Sequence, residues 1–181
     1  MGSQTISSGY LKEQQELHQN PNYGVASLSF APIVANLIRQ INAQSVSDYG
    51  AGKKRLLEGL TKAGVTPKEY LPYDPAFPEY GSPQEADLVC CIDVLEHVEP
   101  VEPERLEAVL RELASITSGF GFFSVHMGPA TKILSDGRNA HLTQQASSWW
   151  LPKICQYFNV LHLASHEMMG KGFWIIVQRI D

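Results

Sequence analysis

This sequence of 181 residues lacks both a long hydrophobic run and an excess of basic residues. No apolar run approaches the roughly 18 residues that a membrane-spanning helix needs, and the N-terminus shows no signal-peptide core. The 14 basic and 19 acidic residues give a net charge of -5, which disfavours a broad electrostatic surface for nucleic acid. We therefore expect neither a membrane nor a nucleic-acid partner.

Cysteine is scarce as well, since the chain has only three. The number is odd, and Cys90 and Cys91 are adjacent within an apolar run, which favours buried reduced thiols over disulfide bonds. Hydrophobic residues make up 44% of the chain, which excludes a disordered protein. These features predict a cytoplasmic protein, and the length suits one domain.

The hydrophobic periodicity predicts alternating helices and strands. Predicted helices cover 10–18, 30–43, 53–64, 103–118 and 147–157, and predicted strands cover 45–48, 69–74, 86–92, 120–125, 159–166 and 173–178. Residues 168–172 are predicted to join the last two strands as a hairpin turn. This order predicts an α/β fold with a mostly parallel sheet, helices on both faces and a reversed C-terminal strand.

A glycine-rich segment, Asp-Tyr-Gly-Ala-Gly at 48–52, lies between a predicted strand and a predicted helix. Glycines there let the main chain approach a ligand, and the helix N-terminus offers free N–H groups. A phosphate-binding loop would need Gly at position 47 and a hydroxyl at 54, where the chain has Ser47 and Lys54. A dinucleotide fingerprint would need a small residue where the chain has Arg55. The segment therefore fits neither pattern.

An acid followed by Gly-x-Gly at a strand end resembles the first motif of the class I S-adenosylmethionine (SAM) methyltransferase family. Asp74, in Leu-Pro-Tyr-Asp-Pro, is similar to the acid that ends the family's second strand. Residues 91–98, Cys-Ile-Asp-Val-Leu-Glu-His-Val, resemble the segment after its fourth strand, and the final strand–hairpin–strand is similar to its reversed seventh strand. The resemblance covers roughly 31–178, and it implies a Rossmann-like fold with SAM as the cofactor.

The resemblance also implies a division of the chain. A methyltransferase domain would cover 31–181, and an N-terminal helical arm or lid would cover 1–30. The segment between Asp74 and Asp87 is too short for the helix and third strand that the family has there, so this region should be shortened. The apolar residues left to hold adenine are Pro75, Ala76 and Phe77.

Six residues are implied in cofactor binding: Asp48, Gly50, Gly52, Asp74, Pro75 and Asp93. Main chain at the glycines would meet the methionine carboxylate and the ribose, and Asp74 would accept hydrogen bonds from both ribose hydroxyls. Asp48 would orient the turn or reach the amino group of the cofactor, and Asp93 would face its methionine end. The alternative is that Asp48 and Asp93 cap helices and Asp74 only ends a strand. Lys54 stands where the family often has a third glycine, so the turn must tolerate a long side chain.

Methyl transfer to a hydroxyl or a protonated amine needs alignment of donor and acceptor and removal of a proton. His126 directly follows a predicted strand, and His141 lies in a polar irregular segment, so we predict both as candidate catalytic bases. The alternative for each is a structural or surface histidine. No HxH or HExxH spacing occurs, so no metal site is predicted.

Four residues are predicted on the side of the acceptor: Tyr23, Arg138, Asn139 and Trp149. Arg138 could pair with a carboxylate or phosphate of the substrate. Trp149 is adjacent to Trp150, so one ring could cover a pocket while the other packs in the core.

The predicted activity is SAM-dependent transfer of a methyl group to an O or N atom of a small molecule. One alternative is a methyltransferase that acts on a nucleotide or nucleic acid, although Asp-Pro-Ala-Phe at 74–77 departs from the (D/N)PP(Y/F) signature. The other alternative is a SAM-binding regulatory protein without catalysis. The sequence offers no argument for the identity of the acceptor or for the oligomeric state.

Overall fold

The computed structural model describes residues 5–100, 103–167 and 170–180. The helices are α1 (Ser8–Leu17), α2 (Ala26–Ile41), α3 (Arg55–Lys62), α4 (Pro103–Ile116) and α5 (Ser147–Ile154). The strands are β1 (Ser45–Tyr49), β2 (Glu69–Tyr73), β3 (Ala86–Ile92), β4 (Thr117–His126), β5 (Phe158–His166) and β6 (Gly172–Arg179). Short 3₁₀ helices cover Pro78–Tyr80 and Leu95–His97. Among the described residues, no helix is long and apolar enough to cross a membrane.

The strands form one sheet with the order β2-β1-β3-β4-β6-β5. The first four strands of this order run parallel, and β6 runs antiparallel to both β4 and β5. The predicted α/β fold, with its mostly parallel sheet and reversed C-terminal strand, is therefore confirmed. The predicted hairpin turn at 168–172 lies partly outside the described residues.

Helices cover both faces of the sheet, as the sequence predicts. α2 and α3 pack on one face, and α4 and α5 pack on the other. Successive residues of a strand point to opposite faces. Cys90 therefore packs under α2 and α3, and Cys91 packs under α4 and α5. Both side chains are fully buried. Both thiols are free, which agrees with the prediction of buried reduced cysteines.

The connection between β2 and β3 is shortened, as predicted. The described residues there contain the 3₁₀ helix Pro78–Tyr80 and no strand. β2 is therefore an edge strand of the sheet. The end of β2 and the short connection stay close to the loop that follows β1.

Several predicted boundaries differ from the structure, and those of α2 and β4 have a clear physical reason. α2 begins at Ala26, because Ala26 and Phe30 continue its buried face, and Pro32 therefore lies inside the helix and not in its first turn. Thr117 pairs with Ala86 in the sheet, so β4 begins where the sequence predicted the end of a helix. Since α2 runs through position 30, the predicted boundary between arm and domain cuts a helix, and that division stays a prediction.

Candidate active site

A cavity of about 380 Å³ opens at the carboxyl ends of β1 to β4, where a parallel sheet places its ligands. This volume lies in the range of small-molecule sites. Gly50, Asp74 and Asp93 line the cavity from the strand ends, and Tyr10 and Tyr23 line it from the N-terminal arm. The arm therefore helps to enclose the cavity.

The loop after β1, which we call the glycine turn, comprises residues 50–52. The main-chain N–H groups of Gly50 and Ala51 both donate to the carbonyl of Tyr73, at 2.7 and 2.9 Å. Gly50 has φ 81 and Gly52 has φ 47, a left-handed conformation that favours glycine. A Cβ atom at position 50 would lie 2.3 Å from Cγ2 of Val94. Both glycines are therefore required by conformation, and both line the cavity; their predicted contact with the cofactor stays a prediction.

Asp74 joins the end of β2 to the glycine turn. Its Oδ2 accepts the N–H of Gly52 at 2.9 Å, and its Oδ1 accepts the N–H of Ala76 at 2.8 Å. Burial raises the pKa of Asp74, and the two N–H bonds act in the opposite direction. Because the side chain also lines the cavity, its carboxylate is fixed in place to face a ligand.

Asp48 has a different environment, although it directly precedes the turn. Among the described residues that line the cavity, Asp48 is absent. Its carboxylate is buried and accepts a hydrogen bond from the hydroxyl of Tyr70. Burial raises the pKa of Asp48 to about 7. Of the two predicted roles, the geometry favours orientation of the turn over direct contact with a ligand.

The shortened connection forms an aromatic wall beside the turn. Pro75 and Ala76 line the cavity, as predicted. Phe77 does not line it, because its ring stacks on Tyr80 with centroids 5.3 Å apart. His18 from the arm packs edge-on against Phe77 at 4.9 Å and does line the cavity. Burial lowers the pKa of His18 to about 4, so this histidine is neutral near pH 7.

Lys54 is accommodated by the same aromatic wall. The residue has φ 58, where the family often has a glycine, and its Nζ lies 4.5 Å from the ring centroid of Tyr80. The Tyr80 hydroxyl donates to the carbonyl of Gly52 at 2.9 Å. The side chain of Lys54 thus packs over the ring of Tyr80, and the hydroxyl of Tyr80 is hydrogen-bonded to the glycine turn.

Four titratable side chains from separate segments meet at the edge of the same cavity. Asp93 follows β3, Glu96 lies in the 3₁₀ helix Leu95–His97, His126 ends β4, and His141 lies in the loop before α5. We call them the carboxylate–histidine cluster. Asp93 has φ 59, and its N–H donates to Oγ of Ser124 at 3.1 Å, which turns the chain from β3 back toward β4.

Short polar contacts connect the members of the cluster. His126 Nδ1 lies 2.7 Å from Asp93 Oδ1, and His141 Nε2 lies 3.9 Å from the same oxygen. The two imidazole rings stack with centroids 5.4 Å apart. The main-chain N–H of His126 donates to Glu96 Oε1 at 2.5 Å. The ring nitrogen Nδ1 of His141 lies 2.8 Å from the main-chain carbonyl oxygen of Gly128. Asp93 therefore pairs with a histidine and is not a helix cap.

The two carboxyl groups of the cluster are pushed toward opposite protonation states. Burial and the neighbouring charge of Asp93 raise the pKa of Glu96 well above its ordinary value. Burial alone would also raise the pKa of Asp93, but the hydrogen bond to His126 and the charges of His97 and His126 outweigh it and lower that pKa. Neighbouring groups with opposed shifts are typical of functional sites.

The four residues predicted to bind the acceptor are placed differently. Tyr23 lines the cavity. Among the described lining residues, Arg138, Asn139 and Trp149 are absent. Arg138 pairs with the exposed Asp136 at 2.7 Å. The role of these three residues in acceptor binding stays a prediction without support from the cavity.

Asn139 and Trp149, the other two predicted acceptor-binding residues, make contacts that stabilise the structure. Asn139 holds the loop together, because its Oδ1 accepts the N–H groups of Ala130 and His141, both at 2.9 Å. Trp149 packs on the core and carries Lys153 Nζ 3.8 Å from its ring centroid.

Sequence reasoning missed Glu96 and Tyr80 as parts of the site. Glu96 lies three residues after Asp93, a spacing that places two side chains on one side of a tight turn. It also directly follows the apolar pair Val94 and Leu95, and an acid at the end of an apolar run is a signal for a buried functional carboxylate. For Tyr80 no signal existed, because its contact with the glycine turn depends on the path of the shortened connection.

No protein-family model matches the chain, and no curated protein matches it. Solved structures match it over nearly its whole length. A Burkholderia thailandensis 1,6-didemethyltoxoflavin N1-methyltransferase, with its bound 1,6-didemethyltoxoflavin and S-adenosylhomocysteine, is 12% identical, with a TM-score of 0.65 over 97% of this chain and 92% of that one. The magnesium protoporphyrin IX methyltransferase of Synechocystis PCC 6803 with bound S-adenosylhomocysteine is 14% identical, with a TM-score of 0.56 over 96% and 95%. The mitomycin 7-O-methyltransferase is 15% identical, with a TM-score of 0.63 over 93% of this chain and 60% of that one.

These likenesses show the fold. The chain has the Rossmann-like fold of class I SAM-dependent methyltransferases, with the third-strand region left out. The cavity at the carboxyl ends of its strands is bordered by the glycine turn with Asp74 and by the carboxylate–histidine cluster.

Proposed function

We propose that the protein is an enzyme that transfers the methyl group of SAM to an O or N atom of a small molecule. The observation that carries this proposal is one cavity lined both by the glycine turn with Asp74 and by the Asp93–His126 pair. The first is suited to bind the cofactor, and the second is suited to accept a proton from the acceptor.

The glycine turn fits SAM. Gly50 and Gly52 both line the cavity, and neither position has room for a side chain, because a Cβ at position 52 would lie 2.9 Å from His18 Cε1. Each carboxylate oxygen of Asp74 accepts one N–H bond and keeps acceptor capacity for a ribose hydroxyl. Pro75 and Ala76 would contact adenine, and Asp93 lies toward the methionine end.

SAM supplies an activated methyl group, so the chain itself must align the acceptor and take up its proton. Asp93 Oδ1 lies 2.7 Å from His126 Nδ1, and this contact holds a proton on Nδ1 and leaves Nε2 as the basic atom. When the acceptor O–H or N–H attacks the methyl carbon, its proton would pass to His126. His141 stacks on that ring and is the second candidate base.

A small acceptor agrees with the enclosure of the cavity. Tyr10 and Leu17 of α1 pack against Leu134 and Ala140 of the loop before α5, and Tyr10 and Ala140 also line the cavity. Structural neighbours act on small molecules such as 1,6-didemethyltoxoflavin and mitomycin. The free, buried Cys90 and Cys91 suit a reducing compartment, so we place the protein in the cytoplasm.

Calorimetry with SAM and S-adenosylhomocysteine tests the cofactor half of this proposal. Asp74→Ala should weaken binding at least tenfold, about 1.4 kcal/mol, because it removes the carboxylate that would face the ribose. Asp87→Ala is the matched control: that carboxylate also accepts main-chain N–H bonds, from Gln44 and Ser45, but it lies at the start of β3. The proposal fails if the unmodified protein binds neither ligand.

Methyl-labelled SAM tests the acceptor half. The enzyme would be incubated with separate small-molecule, RNA, DNA and protein fractions of a cell extract. Label should enter the small-molecule fraction, and His126→Ala should abolish transfer while it retains binding of S-adenosylhomocysteine. Label in the nucleic-acid fractions would instead favour the alternative acceptor class, and binding without any transfer would favour a regulatory protein.

A further inference from the structure

The carboxylate–histidine cluster brings four potential metal ligands close together. Asp93, Glu96, His126 and His141 each offer one ligand atom, and these atoms all lie within 4.8 Å of one another. Ligand atoms that share one ion at about 2.1 Å lie up to about 4.2 Å apart, so a contraction of about 0.6 Å at the widest pair would close the site. We propose that these four residues bind a divalent first-row transition-metal ion.

The types of ligand atom select the class of ion. His126 Nδ1 and His141 Nε2 are the nitrogen atoms nearest to Asp93, and Asp93 and Glu96 supply oxygen. Imidazole suits Zn²⁺, Fe²⁺ and Ni²⁺, whereas Mg²⁺ and Ca²⁺ prefer oxygen ligands alone. Two carboxylates also offset the charge of a divalent ion.

Hydrogen bonds outside the four ligands orient them for an ion. His141 Nδ1 lies 2.8 Å from the carbonyl of Gly128, and a carbonyl can only accept, so Nδ1 carries the proton. The lone pair of Nε2 then points away from this bond, toward Asp93. A second ring nitrogen fixed by a carbonyl is the usual arrangement at metal-binding histidines.

Glu96 provides an independent observation. Its side chain is fully buried, and its Oε1 accepts a hydrogen bond from the main-chain N–H of His126 at 2.5 Å. Among the described residues, no N–H group donates to its Oε2, and the polar neighbour of this side chain is the carboxyl group of Asp93. A buried carboxylate oxygen without a donor costs free energy, and a cation bound beside it would remove that cost.

The cluster is open on one side. Asp93, His126 and His141 line the cavity, whereas Glu96 lies behind them. An ion held from one side keeps a coordination position toward the cavity, as catalytic metal sites do. If the proposed function holds, an oxygen of the acceptor would bind at this position, where the ion would favour loss of its proton. The ion would then take the place of the proton on Nδ1 of His126, and in the metal-bound protein His126 would act as a ligand and not as the base.

The test uses the purified full chain, freed of metal by a chelator, with Co²⁺ and Zn²⁺ as probes. Calorimetry should show one ion bound per chain, and bound Co²⁺ should give visible d–d absorption bands. Glu96→Gln removes a charged ligand with little change of shape and should weaken binding at least tenfold. Glu112→Gln is the control, since that carboxylate accepts a hydrogen bond from Tyr49 outside the cluster, and it should bind like the unmodified protein.

His141→Asn is the second variant, and it decides the outcome if thermal unfolding shows that Glu96→Gln does not fold. The inference is overturned if the unmodified protein binds neither ion, or if the folded variants keep full affinity. Titration of the same metal-free samples with S-adenosylhomocysteine separates the two proposals. Cofactor binding without ion binding would remove the metal site alone, and ion binding without cofactor binding would remove the proposed function.

Discussion

The two sides of the cavity are built in different ways. The glycine turn is shaped by main-chain conformation: Gly50 and Gly52 have positive φ values, and main-chain N–H groups donate to Tyr73 and Asp74. The carboxylate–histidine cluster is shaped by side chains that contact one another across separate segments. A substitution that adds a Cβ atom should therefore damage the turn, whereas the cluster should respond to changes of charge and ligand type.

Charge is balanced differently on the two sides as well. In the cluster, Asp93 faces the imidazole of His126 at 2.7 Å. Asp48, behind the glycine turn, has a hydroxyl partner in Tyr70, and burial raises its pKa to about 7. The carboxyl group behind the turn is thus costly to ionise, whereas in the cluster the pKa of Asp93 is lowered beside His126 and that of the buried Glu96 is raised.

The largest expected effect comes from an added Cβ atom. Gly50→Ala forces alanine into φ 81 and places its Cβ 2.3 Å from Val94 Cγ2. Conformation costs about 1–2 kcal/mol and overpacking about 1–3 kcal/mol, so the free energy of unfolding should fall by about 2–5 kcal/mol in urea denaturation. The control is Gly128→Ala beside the cluster, where a Cβ meets nothing within 4 Å. Equal losses in the two variants would contradict the difference between the two sides.

A second effect, which develops only as the pH rises, is expected from the protonation of Asp48. Its pKa in the folded protein is about 7 against an ordinary 3.8, so folding favours the protonated form. The resulting stability is fully present below about pH 3.8 and is lost as the pH rises toward about 7, at up to about 1.4 kcal/mol per pH unit. Asp48→Asn cannot ionise and keeps an acceptor for Tyr70.

The measurement compares urea unfolding of the two proteins across this pH range. Relative to the unmodified protein, Asp48→Asn should gain stability as the pH rises, because other carboxyl groups contribute equally to both and cancel. A stability difference that does not change with pH would show that Asp48 titrates normally.

The glycine turn could be predicted from the sequence because its determinants are local. Residues 48–52 and Asp74 each lie at a strand end that hydrophobic periodicity predicts, and parallel strands bring such ends together. The α/β order and the reversed C-terminal strand follow from the same pattern, and the shortened third-strand region follows from the resemblance to the methyltransferase family. The start of α2 was misplaced, because a proline at position 32 suggested a first turn while buried apolar contacts extend the helix to Ala26.

The cluster could be predicted only in part. Asp93, His126 and His141 were candidates as single residues, but their contacts depend on where the loop before α5 returns to the sheet. His141 is positioned by Gly128 and Asn139, and no periodicity specifies that path. The spacing of metal ligands along the chain gave only a partial signal, since Asp93 and Glu96 are three residues apart, whereas His126 and His141 come from two other segments.

The smallest expected effect tests whether main-chain conformation also governs the end of the glycine turn. Lys54 has φ 58, so Lys54→Gly should be more stable than Lys54→Ala by about 1 kcal/mol. Both variants lose the contact of Lys54 Nζ with the Tyr80 ring, so this loss cancels in the comparison. Glu58 lies within α3 and is the control position, because glycine is there less favourable than alanine by about 1 kcal/mol. In urea unfolding, the glycine variant should be the more stable of the two at position 54 and the less stable at position 58. If glycine is less stable than alanine at both positions, side-chain contacts and not the left-handed conformation determine which residue the turn accepts.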